Sequence, residues 1–545
     1  METLNFLMQG FEVATRPENL LVALFGAFVG TIVGLLPGLG PINGVALLLP
    51  LAFALGLSPE TALILLAAVY LGCEYGGRIS AILLNVPGDA AAVMTTLDGY
   101  PLARQGKAGI ALSLSAVSSF IGSMIATCGV VLFAPILANW AVAFGPAEYF
   151  VLMIFAIACL GGMVGDKPVK TLMAALIGLA LATVGVDSTT GVYRFTFGSV
   201  SLSDGIQFVI VVIGFFSVSE VLLMLEKTHN GQKAVKASGR LLFNFKEFCF
   251  TFWTMVRSSL AGFVIGVLPG AGATIASAMT YMTEKRMAGP NGKFGDGDLR
   301  GLAAPEAANN ASACGSLIPM LTLGVPGSGT TAVMLGALTL YNITPGPLLF
   351  QNQPDIVWGL IASLFIANIM LVILNIPMIR IFTRILAVPN WALVPVIAII
   401  TGIGVYAVHA TTFDLFLMVG IGIFGYILRK LDFPLSPVLL GFILGGLMEQ
   451  NLRRALSISN GELGILWSSP ITLGVWVLTG IMLLMPIIRI WRKRSAARRA
   501  VPRAPCITSY IPPIIASQYS GLVSNTSSII GSCTVSPIFW INCGR

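Results

Sequence analysis

The stretch "GVPGSGTTAVM" (Gly324–Met334) decides how this chain is read. Three glycines, a proline and a Ser-Gly-Thr-Thr run stand inside an otherwise apolar segment. A phosphate-cradling loop would need G-x-x-x-x-G-K-[ST] after a strand and before a helix. No lysine occurs between Lys293 and Lys430, and the flanks do not read as strand. The segment is therefore read as a helix broken at membrane depth. Pro326 removes a donor and crowds the preceding turn. Gly324, Gly327 and Gly329 let the backbone unwind, and Ser328, Thr330 and Thr331 offer hydrogen bonds where the ladder opens. A plain kink is the simpler alternative.

The surrounding composition supports a membrane setting. Of 545 residues, 56% are hydrophobic and 10% charged, with a mean hydropathy of +0.89. Soluble domains carry about 25% charged residues. Apolar runs of about 20 residues recur, each long enough to cross a hydrocarbon core. In lipid the backbone must be satisfied within each segment, so these runs are helices. The expected fold is an all-α polytopic membrane protein, spanning the lipid bilayer. The two histidines, His229 and His409, are far apart, and none of the eight cysteines forms a CxxC pair. No cofactor and no fixed metal site is expected. The net charge of +8 does not mark a nucleic-acid binder, because seven basic residues crowd Arg489–Arg503, directly after the last apolar run. That is the signature of a cytoplasmic end. Glu2 and Glu12 without a basic leader argue against a removable signal peptide.

The break at Gly324–Met334 is one of four. "GLLPGLGP" (Gly34–Pro41) matches "GVLPGAGA" (Gly266–Ala273), with Pro37 and Pro269 offset by 232 residues. "NVPGDAAAVM" (Asn85–Met94) matches the opening stretch, with Pro87 and Pro326 offset by 239. Matched positions in two halves make broken, cavity-lining helices the stronger reading over a kink. Loop charges set the orientation of the halves. The stretch after the first "LPG" has no basic residue, whereas its counterpart carries Lys285, Arg286, Lys293 and Arg300. Past the other cassette the bias reverses, with Arg104 and Lys107 in the first half and none in "ITPGPLLFQNQPD". Opposite bias places matching loops on opposite faces, so the expected architecture is two inverted-topology repeats. The first covers residues 1–226, a cytoplasmic linker 227–246, and the second 247–458. A further helix lies within 459–490, and 491–545 form a basic cytoplasmic segment and an atypical tail. About 11 crossings and two hairpins, 18–56 and 247–283, are expected. This scheme puts Arg453 and Arg454 on the outer face, against the charge rule.

Freed amides and helix N-termini at the breaks suit an anion, and freed carbonyls suit Na⁺. The candidate substrate- and ion-binding residues are Pro37, Gly38, Gly40, Asn85, Pro87, Gly88, Asp89, Gly270, Gly272, Glu306, Asn309, Asn310, Pro326, Gly327, Ser328, Gly329, Thr330 and Thr331. Glu306 and Asn310 share a helix face at i,i+4. Ionisable residues at depth are costly and mark sites. Glu74 and Arg78, also i,i+4, are expected to pair and neutralise each other, or else to form part of the site. Asp89 is either a ligand or an ordinary cap.

These motifs, with "YGGRISAILLNVPGDAAAVMTTLDGYP", "APEAANNASACGSLIPMLTLGVPGSGTTAVMLGALTLY" and "TPGPLLF", resemble the large membrane subunit of the tripartite tricarboxylate transporters over about residues 1–495. The resemblance implies a secondary carrier of a bacterial inner membrane, importing a carboxylate such as citrate by alternating access. It implies a small membrane subunit, a periplasmic solute-binding protein and coupling to Na⁺ or H⁺. The alternatives are a stand-alone ion-coupled exchanger, a membrane-embedded hydrolase using Ser328 with Glu306 as base, and a scaffold subunit without a site. From Cys506 the tail departs from the family; it is expected to be disordered, or to be read out of frame.

Overall fold

The computed structural model describes residues 2–499 apart from 37, 164–167, 188, 227–239, 241, 271 and 386–389. Pro37, most of the 227–246 linker and the tail beyond 499 lie outside the described residues. The first half holds α1 (Glu2–Ala14), α2 (Pro17–Leu35), α3 (Gly40–Ala54), α4 (Pro59–Leu84), α5 (Val93–Leu102), α6 (Ala108–Ala141), α7 (Pro146–Met163), α8 (Pro168–Leu181), α9 (Phe208–Val212) and α10 (Ser219–Glu226). The second holds α11 (Phe245–Val267), α12 (Gly272–Ala288), α13 (Leu299–Gly315), α14 (Leu317–Leu323), α15 (Gly329–Leu340), α16 (Leu349–Asn352), α17 (Pro354–Asn375), α18 (Ile379–Ile385), α19 (Asn390–His409), α20 (Thr412–Lys430), α21 (Leu435–Ile458) and α22 (Pro470–Arg499). Among the described residues the one sheet is a short antiparallel pair, β1 (Gly185–Val186) and β2 (Tyr193–Arg194). Among the described residues, eight helical segments are long and apolar enough to cross a membrane, and six more apolar helices are shorter. The chain is an all-α, multi-pass membrane protein. Residues 1–488 pack as one compact unit; of the second unit, Arg489–Arg545, the described part is helical up to Arg499.

Local chemistry explains where the helices start and stop. Pro17 and Glu18 open α2, and Ser58, Pro59 and Glu60 open α4, each suited to a helix N-terminus. Asn244 and Glu247 form a capping box at the start of α11. Sequence spacing predicts one crossing over 61–100, but α4 ends at Leu84 and α5 begins only at Val93. The Pro87–Gly88 pair cannot continue the helix.

Packing relies on small residues, as it must where lipid supplies no hydrophobic drive between helices. α2 lies so close to α4 that a Cβ on Gly34 would fall 2.1 Å from the Cys73 carbonyl oxygen. α11 meets α13 in the same way, with Gly266 held 2.4 Å from the Ser312 carbonyl by the same measure. The two contacts are related by the sequence offsets 232 and 239.

Each hairpin returns to the end from which it starts. At the base of the first, Asn19 on α2 accepts a hydrogen bond from Thr61 at the start of α4 (2.7 Å). At the base of the second, Arg300 at the start of α13 covers the Phe250 ring of α11 at 4.7 Å. Elsewhere Lys170 donates to the Leu431 carbonyl at 2.5 Å, and Arg429 and Lys430 pair with Glu220 and Glu226. Arg453 does not stand as a free charge. It bonds Asp187 at 2.6 Å and Glu449 at 2.7 Å, and Arg194 bonds Glu449 at 2.9 Å. Two arginines and two carboxylates thus form one paired cluster, while Arg454 is exposed.

Candidate functional site

The two hairpin tips dock on the two helix breaks. α2 is followed by extended Leu36 (φ −78°, ψ 119°) and α11 by extended Leu268 (φ −77°, ψ 122°). The chain then turns through Gly38 (φ 91°) and Gly40 (φ 60°) in one half, and through Gly270 (φ 77°) and Gly272 (φ 62°) in the other. These angles lie in the left-handed region that side chains avoid, so glycine is needed there. The Gly38 amide donates to the Gly88 carbonyl at 3.2 Å, and the Gly270 amide to the Gly327 carbonyl at 3.0 Å. The broken helices also end alike, at Asn85 (φ 57°) and Gly324 (φ 66°). Backbone angles, docking bonds and helix ends thus coincide at the offsets read from the sequence. The halves touch where Gly329, at the start of α15, packs against Ile42 of α3.

Several side chains expected to face a ligand are spent locally. Asp89 accepts the Ala92 amide at 2.9 Å, so it caps the turn into α5. Ser328 and Thr331 form a reciprocal cap on α15. The Thr331 amide donates to Ser328 Oγ at 3.2 Å, and the Ser328 amide to Thr331 Oγ1 at 2.8 Å. Ser328 Oγ also lies 3.4 Å from the Tyr70 hydroxyl, which is 3.4 Å from Ser316 Oγ. Thr330 and Pro326 are buried, Gly88 and Gly327 are buried in the docking contacts, and Asn85 is exposed. Pro87 is half-buried.

A buried polar network joins the halves behind the breaks. Glu306 on α13 accepts from Thr95 of α5 and from Ser119 of α6 (3.1 Å). Arg78 on α4 donates to the same Ser119 at 3.0 Å and lies over the Tyr75 ring at 4.4 Å. Asn309 donates to Glu74 Oε2 at 2.8 Å, and Asn310 to the Glu306 carbonyl one turn back at 3.2 Å. The expected Glu74–Arg78 pair does not form. Arg78 reaches across to α6, where Ser119 links it to Glu306, and Glu74 is left to Asn309. Helical spacing made the pair possible, but the facing helices offered each group a closer partner. The hydrolase geometry is also not met among the described residues: Glu306 bonds Thr95 and Ser119 rather than Ser328. The side-chain oxygens of Asn309, Asn310 and Ser312 are buried without partners.

Two features escaped the sequence reading. Asp98 on α5 is fully buried and accepts four bonds: from the amides of Gly295 (2.9 Å), Gly297 (2.9 Å) and Asp298 (2.8 Å) and from the Tyr281 hydroxyl (2.9 Å). It fastens the first half to the loop entering α13. Its place in "TTLDGYP", at the end of the expected 61–100 crossing, gave no sign of these partners. Glu220, paired with Arg429, stands beside the first tip, where a Cβ on Gly38 would lie 3.0 Å from its Oε1. A cleft of about 270 Å³ lined by Val13, Arg16, Glu60 and residues 352–356 contains none of the candidate residues.

The family model described as "Tripartite tricarboxylate transporter TctA family" matches residues 20–440, a span containing both hairpin tips and both breaks. The chain belongs to the TctA family. It is thus a membrane component of a tripartite transport system, a class that works with partner subunits. It is similar to a protein of Agrobacterium vitis described as "Uncharacterized 52.8 kDa protein in TAR-I ttuC' 3'region", 39% identical over 497 residues, which covers 91% of this chain and 99% of that protein. A second Agrobacterium vitis protein, described as "Uncharacterized protein in TAR-II ttuC' 3'region", is 42% identical over 231 residues, covering 42% of this chain and 96% of its own. No solved structure matches this TctA-family chain.

Proposed function

We propose that this TctA-family chain is the large membrane subunit of a secondary importer for a tricarboxylate or related carboxylate. A periplasmic binding protein delivers the substrate, a small membrane subunit completes the carrier, and a gradient of Na⁺ or H⁺ drives uptake. The observation that carries this reading is the pair of glycine tips docked on two interrupted helices, Gly38 on Gly88 and Gly270 on Gly327. Such interruptions present freed amides and carbonyls at depth and are tolerated where they line a cavity or are buried in protein. The halves are inverted in the bilayer of a bacterial inner membrane, and the basic stretch from Arg489, which begins within α22, is cytoplasmic. The backbone of the breaks, with Asn309 and Asn310 behind it, forms the transport site, alternately open to either side. The hydroxyls of Ser328 and Thr331 act on that site by holding the start of α15, and Asp89 by holding the turn into α5.

The test is uptake of labelled citrate and related carboxylates into proteoliposomes holding the chain and its small subunit. It is run with and without the binding protein and with and without an inward Na⁺ or H⁺ gradient. Uptake that needs both protein and gradient supports the reading. Uptake without the binding protein would replace it with a stand-alone exchanger.

A further inference from the structure

Glu74 lies within α4, a span whose apolar window is wholly buried inside the bundle, and the residue is 4% exposed. Its one hydrogen-bond partner among the described residues is neutral, the amide of Asn309. The nearest cation in sequence, Arg78, is committed to Ser119 and the Tyr75 ring, and through Ser119 to Glu306. Glu306 accepts two hydroxyl bonds and has the guanidinium one residue away; Glu74 has neither. Two carboxylates therefore share one guanidinium, and the arrangement gives it to Glu306. An ionised carboxylate at this depth with a single neutral donor is costly, and such a group escapes the cost by neutralising. Beside it the Asn309 oxygen is buried and unpartnered, although Asn309 is only 3% exposed.

The surroundings oppose ionisation further. On its own helix Glu74 has Tyr70, Cys73, Tyr75 and Arg78 as titratable neighbours. The break after α4 brings Asp89, whose Oδ1 would stand 3.7 Å from a Cβ on Gly77. From α13 come Glu306 and Cys314. The other helices packed on α4 add little: α3, α6 and α15 have no charged residue, and α2 and α17 have only Glu18 and Asp355 in their first turns. On α5, Asp98 is taken up by the Gly295–Asp298 amides and Tyr281.

We infer that Glu74 is a proton-binding site of the carrier, occupied by a proton while α4 and α13 are packed as seen here. A hydronium ion gives up a proton that bonds to Oε1, leaving water; Oε2 goes on accepting from Asn309, and the proton passes back to water when the two helices part. This inference rests on the carrier reading but names a group and an ion that the reading leaves open.

The test is infrared difference spectroscopy on the full chain in lipid, without substrate or binding protein. The expected result is a protonated-carboxyl stretch at neutral pH that is lost in Glu74→Gln and kept in Glu306→Gln. Asn309→Ala should move its frequency without removing it, which serves if Glu74→Gln does not fold. A stretch that is absent at neutral pH, or that survives in Glu74→Gln, overturns the inference. A stretch abolished when Na⁺ replaces choline at constant pH overturns it in favour of a sodium site. No substrate enters the measurement, so failure of the carboxylate reading leaves its outcome unchanged.

Discussion

The two helix breaks share a backbone and differ in chemistry. At the first, Asn85 and the tip glycine Gly38 are exposed, and the carboxylates of Asp89 and Glu220 stand close by. At the second, Gly324 and Gly270 are buried, and the polar groups are the hydroxyls of Ser316, Ser328 and Thr331. The geometry is conserved within the molecule because it rests on glycine angles and on the close approach of helix backbones. The chemistry is free to diverge because side chains at the breaks do not set those angles. An acidic half and a hydroxyl half can thus share one support.

The largest effect expected is on the support itself. Gly34→Val and Gly266→Val each force a side chain against a carbonyl of the facing helix. Each should cost about 3 kcal/mol or more, the upper range for overpacking, read as loss of folded protein in thermal unfolding. Collapse of one variant alone would break the equivalence of the halves.

Next in size is the clasp between the halves. Asp98→Ala leaves three amides and a hydroxyl without their acceptor, at a cost of about 3 kcal/mol. Hydrogen exchange should rise across residues 293–298 while the breaks stay protected. Uniform loss of protection would show instead that Asp98 holds the whole bundle.

The two caps provide a finer comparison. Ser328→Ala and Asp89→Ala should each cost about 1 kcal/mol as lost N-cap or turn bonds. Equal losses would support equivalent local roles. A Ser328→Ala loss several-fold larger would mean that the Tyr70–Ser316 contact adds to the cap.

The smallest effect lies at the Arg453 cluster. The amides of Thr189 and Thr190, together with Arg453, hold the Asp187 carboxyl down to about 2. A lowered carboxyl stabilises the folded loop above the ordinary carboxylate range, about pH 4. That contribution is lost as pH falls through the folded value. The loop over residues 185–194 should therefore loosen between about pH 4 and pH 2, as followed by the amide resonances of Thr189 and Thr190. No loosening in that window would mean that Asp187 is not held by these donors.

Much of the fold was legible because membrane helices announce themselves by length and apolarity, and because glycine and proline mark where they must break. Segments such as 108–139, 391–408 and 412–429 emerge as α6, α19 and α20 within a residue or two. The small β1–β2 pair and α1 were missed, since two-residue strands and a half-exposed first helix have no such signature. At the candidate site the glycine positions were readable, but partners were not. Glu74 and Arg78 look like a pair along one helix, yet Ser119 and Asn309 decide otherwise from two other helices. Asp98 carries no mark in the sequence, yet three amides nearly 200 positions away converge on it.

The sequence by itself determined a helical membrane protein with four glycine-proline interruptions in two matched sets, because solvation by lipid and forbidden backbone angles act locally. Only the tertiary structure decided which tip docks on which break, which carboxylate receives the arginine and which is left with a neutral amide. Those outcomes depend on distances between helices, and hydrogen bonds of a few ångströms are set by packing rather than by spacing along the chain.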